Sequence, residues 1–328
     1  MTEPALAEIL LEKPPHPFWT VLRQLGIEQA VGVLPRYHAD WRESAGEQPW
    51  DLMPLTLYRD QVAEAGLRLA AIEDNPPMDK LRLGLPGREE ELEAVLRLIR
   101  SMGTLGIPVW CYNWMPVLGW MRTRMAAPTR GGALVSSWDA ALLADAPLTY
   151  AGFVPDEQLW EALAWFLERV CPVAEEAGVT LALHPDDPPL SPIRGIARIM
   201  SRVESFERLV DLNDSPANRI TLCQGNFALM TDDLPATIRR LGERIAFAHF
   251  RDVRGTPERF EETFHDDGPT DMLACMRAYR EIGFRGVLRS DHVPTIAGDS
   301  AAVAGYSHQA RLHAIGYMAG LREAVARA

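Results

Sequence analysis

EEAGVTLALHPDD, residues 175 to 187, closes one periodic stretch and opens another. An acidic tail ends at Gly178, an apolar run carries on to His184, and a proline and two acids then stop it. Glycine just past a last helical turn takes the left-handed C-cap conformation without steric cost, so the stretch reads as helix, cap, short buried strand and polar strand end. AEAGLRLA (63–70) and EIGFRGVL (281–288) repeat the pattern.

Short apolar runs alternate with longer amphipathic ones along the whole chain, the order that builds a parallel sheet with helices outside it. The expected strands are Glu8 to Leu11, Gln29 to Leu34, Arg68 to Ile72, Pro108 to Tyr112, Thr180 to His184, Arg219 to Cys223, Ile245 to Phe250 and Gly286 to Ser290. The expected helices are Pro54 to Ala65, Arg88 to Met102, Pro155 to Ala177, Glu204 to Leu212, Leu234 to Leu241, Asp271 to Ile282 and a closing helix within Tyr306 to Arg327. In Pro155 to Ala177, Leu159, Leu163, Phe166, Leu167 and Val170 recur at helical spacing behind the acidic start. Such alternation over 328 residues is that of one α/β domain, a (β/α)8 TIM barrel spanning 1–328.

One stretch breaks the repeat. Residues 113–153 hold Trp114, Trp120, Trp138 and Tyr150 among Gly, Pro and Ser, and a loop this long and aromatic is expected to be an ordered lid over the barrel mouth, inserted after the fourth strand.

Composition excludes several functions. With 45 acids against 33 basic residues the formal charge is −12, which speaks against a surface that tracks nucleic acid. No run approaches the roughly eighteen apolar residues of a membrane span, and Met1 to Pro15 lacks the regions of a signal peptide, so the expectation is a cytoplasmic protein with no membrane partner and with self-association left open. Cys111, Cys171, Cys223 and Cys275 are far apart and lack CxxC spacing, which fits reduced thiols rather than a disulfide framework. Cys171 and Cys275, inside helices, read as packing residues.

In a TIM barrel the carboxyl ends of the strands form the mouth where active sites lie. His184 ends its strand there; Cys223 ends RITLC, His249 lies near the end of IAFAHF, and Asp291 follows GVLRS. Each alone has a duller reading: a packing thiol, hydrogen-bonded rim histidines, a helix-capping aspartate. Together, on four consecutive strands, they read as one metal centre whose imidazoles and thiolate suit Fe²⁺, Mn²⁺, Co²⁺ or Zn²⁺ better than Mg²⁺. His292 is placed to move a proton beside the ion, and Tyr306 is a candidate acid. Arg251 and Arg254 in HFRDVRG are candidates to clamp a substrate carboxylate, Asn113 to bond a sugar hydroxyl, and His265 to reach the rim.

ALHPDDPP, CYNWMPV, HFRDVRG, FEETFHDDGPTDM and RSDH followed by GY resemble, in the same order, blocks of the mannonate dehydratase family, TIM-barrel enzymes of xylose-isomerase-like architecture. The resemblance spans most of residues 60–321. It implies metal-dependent dehydration of D-mannonate, or a related aldonic acid, to 2-dehydro-3-deoxy-D-gluconate. It further implies Fe²⁺ or Mn²⁺ on His184, Cys223, His249 and Asp291, with acid/base roles on His292 and Tyr306. The chain departs from the family pattern at Met78, Gly119 and Ala310, where polar residues are expected, and its amino-terminal Arg-Trp pair is not recognisable. Two other readings stand beside this one: a xylose-isomerase-like sugar isomerase or epimerase, which Cys223 weighs against, and a non-catalytic sugar-acid-binding relative, motivated by the three departures.

Overall fold

The computed structural model describes residues 3–37, 46–299 and 304–327. Its strands are β1 (Ala5–Leu10), β2 (Gln29–Gly32), β3 (Arg68–Glu73), β4 (Val109–Asn113), β5 (Arg124–Pro128), β6 (Leu134–Asp139), β7 (Thr180–His184), β8 (Asn218–Cys223), β9 (Ile245–Phe250), β10 (Val253–Thr256), β11 (Arg259–Glu262) and β12 (Val287–Ser290). β1, β2, β3, β4, β7, β8, β9 and β12 close in that order into an all-parallel barrel, so each expected strand is present within a few residues of its expected bounds. Among the described residues no helix is long and apolar enough to cross a membrane.

The helices outside it are α1 (Pro17–Gln24), α2 (Leu52–Glu64), α3 (Asp79–Leu83), α4 (Arg88–Leu105), α5 (Asp156–Ala177), α6 (Val203–Leu212), α7 (Gln224–Ala228), α8 (Leu234–Leu241), α9 (Met272–Glu281) and α10 (His308–Arg327). Periodicity misses three: α3 and α7, five residues each, are too short to show an amphipathic repeat, whereas α1, with eight residues and Phe18, Trp19 and Leu22 buried, is as long as α8 and is readable. Gly66, Gly178 and Gly283 all adopt the left-handed conformation expected of them, and at Gly178 the next amide donates back to Ala174 O at 2.9 Å, closing the helix end. The stripe Leu159, Leu163, Phe166, Leu167 and Val170 on α5 is fully buried, each side chain contributing about 1.5–3 kcal/mol of transfer free energy.

Side chains on the barrel strands alternate with period two. One set packs outward into the helix layer, and the other, including Ala7, Ile9, Val31, Ala71, Cys111, Ala182, Phe247 and Val287, fills the barrel interior.

Residues 113–153 are more than a loop. β5 and β6 form a hairpin, β6 pairs with β11, and the antiparallel sheet β10-β11-β6-β5 caps the barrel mouth. Trp138, Ile193, Val253 and Phe260 form its small core. The four aromatics divide: Trp114 is buried and donates to Leu159 O, Trp138 fills the cap, Tyr150 is exposed, and only Trp120 borders the mouth.

Candidate active site and metal centre

Counting in twos from the barrel interior leads to the rim. Ala182 is followed by His184, Thr221 by Cys223, Phe247 by His249, Ala71 by Glu73, Cys111 by Asn113, and Val287 by Arg289 and then Asp291. Strand register sets these ends at one level: Asn113 pairs with His184, Cys223 with His249, His249 with Arg289, and Glu73 with Cys111. All but Cys223, which lies buried beneath them, border a cavity of about 340 Å³ at the carboxyl end of the barrel. A larger cavity, about 660 Å³, lies among the strand starts at the other end, lined by Arg68, Glu243, Arg285 and backbone, without a ligating cluster among the described residues.

One ligand atom from each of His184, Cys223 and His249 lies within 4.8 Å of the others. His184 Nδ1 is 2.7 Å from Pro185 O, a carbonyl that can only accept, so Nδ1 carries the proton and Nε2 presents its lone pair inward. His249 Nε2 lies 3.2 Å from the Glu73 carboxylate, which turns Nδ1 toward the same centre. The two inward nitrogens are 3.2 Å apart, and Asp291 Oδ2 lies 3.5 Å from His249 Nδ1 and 3.8 Å from Cys223 Sγ. Burial pushes the Cys223 thiol up, but Arg251 and the imidazoles of His184 and His249 override it and bring the pKa down to about 6, which favours the thiolate form. Although burial and Arg289 oppose its charging, Glu73 and Asp291 hold the His249 imidazole well above its ordinary value. Lone pairs, a thiolate and a carboxylate that converge and favour added positive charge fit a divalent cation.

Beside this centre, Tyr306 donates to Asp291 Oδ1 at 2.7 Å, and His292 Nε2 lies 3.6 Å from the same oxygen. Burial and the Asp291 charge hold the Tyr306 hydroxyl well above the ordinary tyrosine range, which keeps it protonated. Burial opposes the ionisation of Asp291, but His292, Arg289 and His249 overcome it and the carboxyl stays far below its usual range. Trp120 meets the His292 ring edge-on, centroids 5.3 Å apart.

The remaining expectations are met unevenly. Asn113 borders the cavity, and its carbonyl oxygen is taken by Arg82 (2.9 Å) and the Met115 amide (3.2 Å), leaving the amide donors for a ligand. Arg251 is a correction: it is buried behind the cavity without bordering it, and four of its five N–H donors are engaged by Asp291 (2.9 Å), Glu262 (2.9 Å), Asp187 (3.0 Å) and Asn226, so its guanidinium does not face a substrate. A side chain at Gly225 would collide with that guanidinium. Arg254 is a second correction: the β10–β11 hairpin turns it to solvent, paired with Glu261 at 3.2 Å. His265 is buried without bordering the cavity, its Nε2 lacking a hydrogen-bond partner. Met78, Gly119 and Ala310, the departures from the family pattern, do not line the cavity either; Met78 joins the main core and Ala310 packs with Val293 and Ala314.

Sequence reasoning missed Glu73, which grips Arg289 through both oxygens (2.6 and 2.7 Å), as well as Arg289, Asp187, Arg122 and Glu262. The period-two count that carries Ala71 to Glu73 and Val287 to Arg289 is the signal for the first two; Arg122 and Glu262 lie on the cap, where no such count applies.

A family model described as D-mannonate dehydratase (UxuA) matches residues 20–150 and 148–328. The mannonate dehydratase of Thermotoga neapolitana is 36% identical over 344 aligned positions, covering 93% of this chain and 93% of that protein. That of Enterococcus faecalis is 34% identical over 311 positions, covering 84% and 86%. The crystal structure of mannonate dehydratase from Streptococcus suis serotype 2 superposes with a TM-score of 0.88 at 30% identity, covering 100% of this chain and 95% of that one. A D-psicose 3-epimerase from Clostridium cellulolyticum H10, with a TM-score of 0.62 at 12% identity, shares the fold alone. The chain therefore belongs to the mannonate dehydratase family and is a hydro-lyase that acts on a sugar acid.

Proposed function

We propose that the chain removes water from D-mannonate, or a closely related aldonic acid, to give 2-dehydro-3-deoxy-D-gluconate, with Mn²⁺ or Fe²⁺ held by His184, Cys223, His249 and Asp291. The family implies a divalent metal, and the observation that carries the site assignment is the convergence of His184 Nε2, His249 Nδ1 and the Cys223 thiolate beside Asp291. When bound, the ion would supply Lewis-acid stabilisation of the negative charge that develops as the weakly acidic proton next to the carboxylate is lost.

The chain's own residues divide the proton work. Tyr306, kept protonated, is the acid that gives its proton to the hydroxyl leaving C3. His292 is the base that takes the C2 proton; the C2–H electron pair becomes the C2–C3 double bond as the C3–O bond breaks, and the enol then becomes the ketone. Both groups flank Asp291 Oδ1, so they sit on one stretch of substrate. Asn113 offers its amide to a hydroxyl, and Trp120 and Met115, from the insertion after β4, form a wall that would exclude water as a lid does.

The test is to purify the protein anaerobically, load it with Mn²⁺ or Fe²⁺, and incubate it with a panel of aldonic acids and ketoses. A 2-keto-3-deoxy product supports the reading. Interconverted ketoses without loss of water would replace it by an isomerase or epimerase, and binding without turnover by a non-catalytic relative.

A further inference from the structure

Glu262 ends β11 on the cap, is buried, and does not border the cavity. Its Oε1 lies 3.0 Å from His292 Nδ1. The same carboxylate accepts from Arg251 Nη1 at 2.9 Å and from Arg122 Nη2. Arg122 belongs to the insertion after β4 and also binds Asp187, beyond the end of β7, so three separate segments meet on this acid. Burial alone would raise the Glu262 pKa; the guanidinium of Arg251, with that of Arg122, outweighs it and holds the carboxyl below its ordinary value.

An ionised carboxylate can only accept hydrogen bonds, so the proton in the 3.0 Å contact belongs to His292 Nδ1; the Arg122 guanidinium, a donor, faces the same nitrogen but from 3.5 Å, the weaker contact of the two. A neutral imidazole protonated there carries its lone pair on Nε2, on the side of Asp291 Oδ1 that Tyr306 also touches. His292 has φ +24°, a value non-glycine residues rarely adopt, and such backbone persists only when its surroundings hold it.

We propose that Glu262 is the positioning residue of His292: it fixes the proton on Nδ1 so that Nε2, the nitrogen turned to the cavity, is free to act as the base. Arg122 and Arg251 hold Glu262 ionised and in place. This deepens the reading of His292 as the base and rests on it.

Two measurements test it. With eight histidines in the chain, the imidazole nitrogens of [15N]histidine-labelled, Zn²⁺-loaded protein can be observed by NMR at pH 8, and His292→Gln identifies the signals of residue 292. A proton on Nδ1 is expected; a ring whose single proton is on Nε2 overturns the proposal. In kinetics with the Mn²⁺ enzyme, Glu262→Gln, whose amide can donate to Nδ1 and force the other tautomer, should lower kcat at least about 100-fold while KM stays within about threefold and metal content is unchanged. Glu262→Asp should recover at least about a tenth of the wild-type rate. Wild-type kcat in Glu262→Gln overturns the proposal. If that variant does not fold, the wild-type spectrum decides alone. A wild-type protein that dehydrates no aldonic acid removes the functional reading instead, and the spectrum still decides the proton's place.

Discussion

The barrel strands and the cap sheet meet at one cavity and supply different things to it. β7, β8 and β9 deliver His184, Cys223 and His249 from an apolar parallel barrel, each two residues beyond a side chain of the interior. The cap is antiparallel, short and rich in charge; Glu262 lies on it and Arg122 just ahead of its β5, and neither borders the cavity. The barrel thus carries groups that face a ligand, whereas the cap carries groups that face those groups. Closure of the barrel forces the first set together whatever surrounds it. The second set depends on pairing between distant segments, as where Trp138 lies opposite Phe260.

The most severe way to break this division is at a proposed metal ligand on the barrel. Cys223→Ser replaces a thiolate by a hydroxyl that stays protonated at neutral pH. Losing a partner behind a ligand already costs about 10–100-fold in metal affinity, so losing the ligand itself should cost at least about 100-fold in affinity for Fe²⁺ or Mn²⁺ and a comparable factor in rate. The side chain is buried, but sulfur and oxygen differ little in size and Asn226 Oδ1 and Asp291 Oδ2 stand by to accept from a hydroxyl, so the thermal midpoint should move by no more than a few degrees, about 3–5 °C. Elemental analysis of anaerobically purified protein and a calorimetric scan check both. Full metal content and rate would shift the centre to the group formed by Glu73, Cys111 and His249 on the other side of the His249 ring.

How much was legible follows the same line. The eight strands and the long helices are written in local periodicity, and the four rim residues stand out because a polar side chain ends an apolar run. Glu73 and Arg289 obey the same count, but an acid closing AAIE and an arginine inside GVLRS resemble ordinary surface residues until register places them beside His249. Arg251 and Arg254 were alike in HFRDVRG; only the turn into the β10–β11 hairpin buries one and exposes the other. The cap strands are not legible because VRGT and RFEE have no continuous apolar face; VRGT pairs with RFEE, and RFEE in turn pairs with a segment some 120 residues away.

A smaller effect sharpens the boundary between the two regions. His265 lies just beyond β11, buried, and that burial lowers its pKa to about 4, against the pull of a hydrogen bond to Phe250. The unfolded chain binds this proton near pH 6.5 and the folded one only near 4. The folded state is therefore at full strength above about pH 6.5 and loses about 3 kcal/mol from this group as pH falls through that window. Denaturant unfolding of wild type and His265→Gln at pH 7 and pH 4.5 isolates the contribution, because other titrating groups act equally on both. The wild type should lose about 2–3 kcal/mol more than the variant; equal losses would mean that water reaches the ring and that the segment joining cap and barrel is open.

The smallest effect is expected at Arg254, and its smallness is the point. The side chain is 48% exposed and reaches only Glu261 and Asp267, at 3.2 and 3.8 Å. Exposed pairs of this kind contribute about 0–1 kcal/mol, much of it screened by salt. Arg254→Ala should therefore leave stability within about 0.5 kcal/mol and kcat/KM within about twofold of wild type. Three residues earlier Arg251 holds Asp291, Glu262 and Asp187 with no exposure to solvent, so similar sequence contexts carry opposite consequences. A tenfold or larger drop in kcat/KM for Arg254→Ala, with KM rising, would mean that the β10–β11 hairpin swings inward over bound substrate and that the cap touches the ligand directly. The division drawn between barrel and cap would then hold only for the empty cavity.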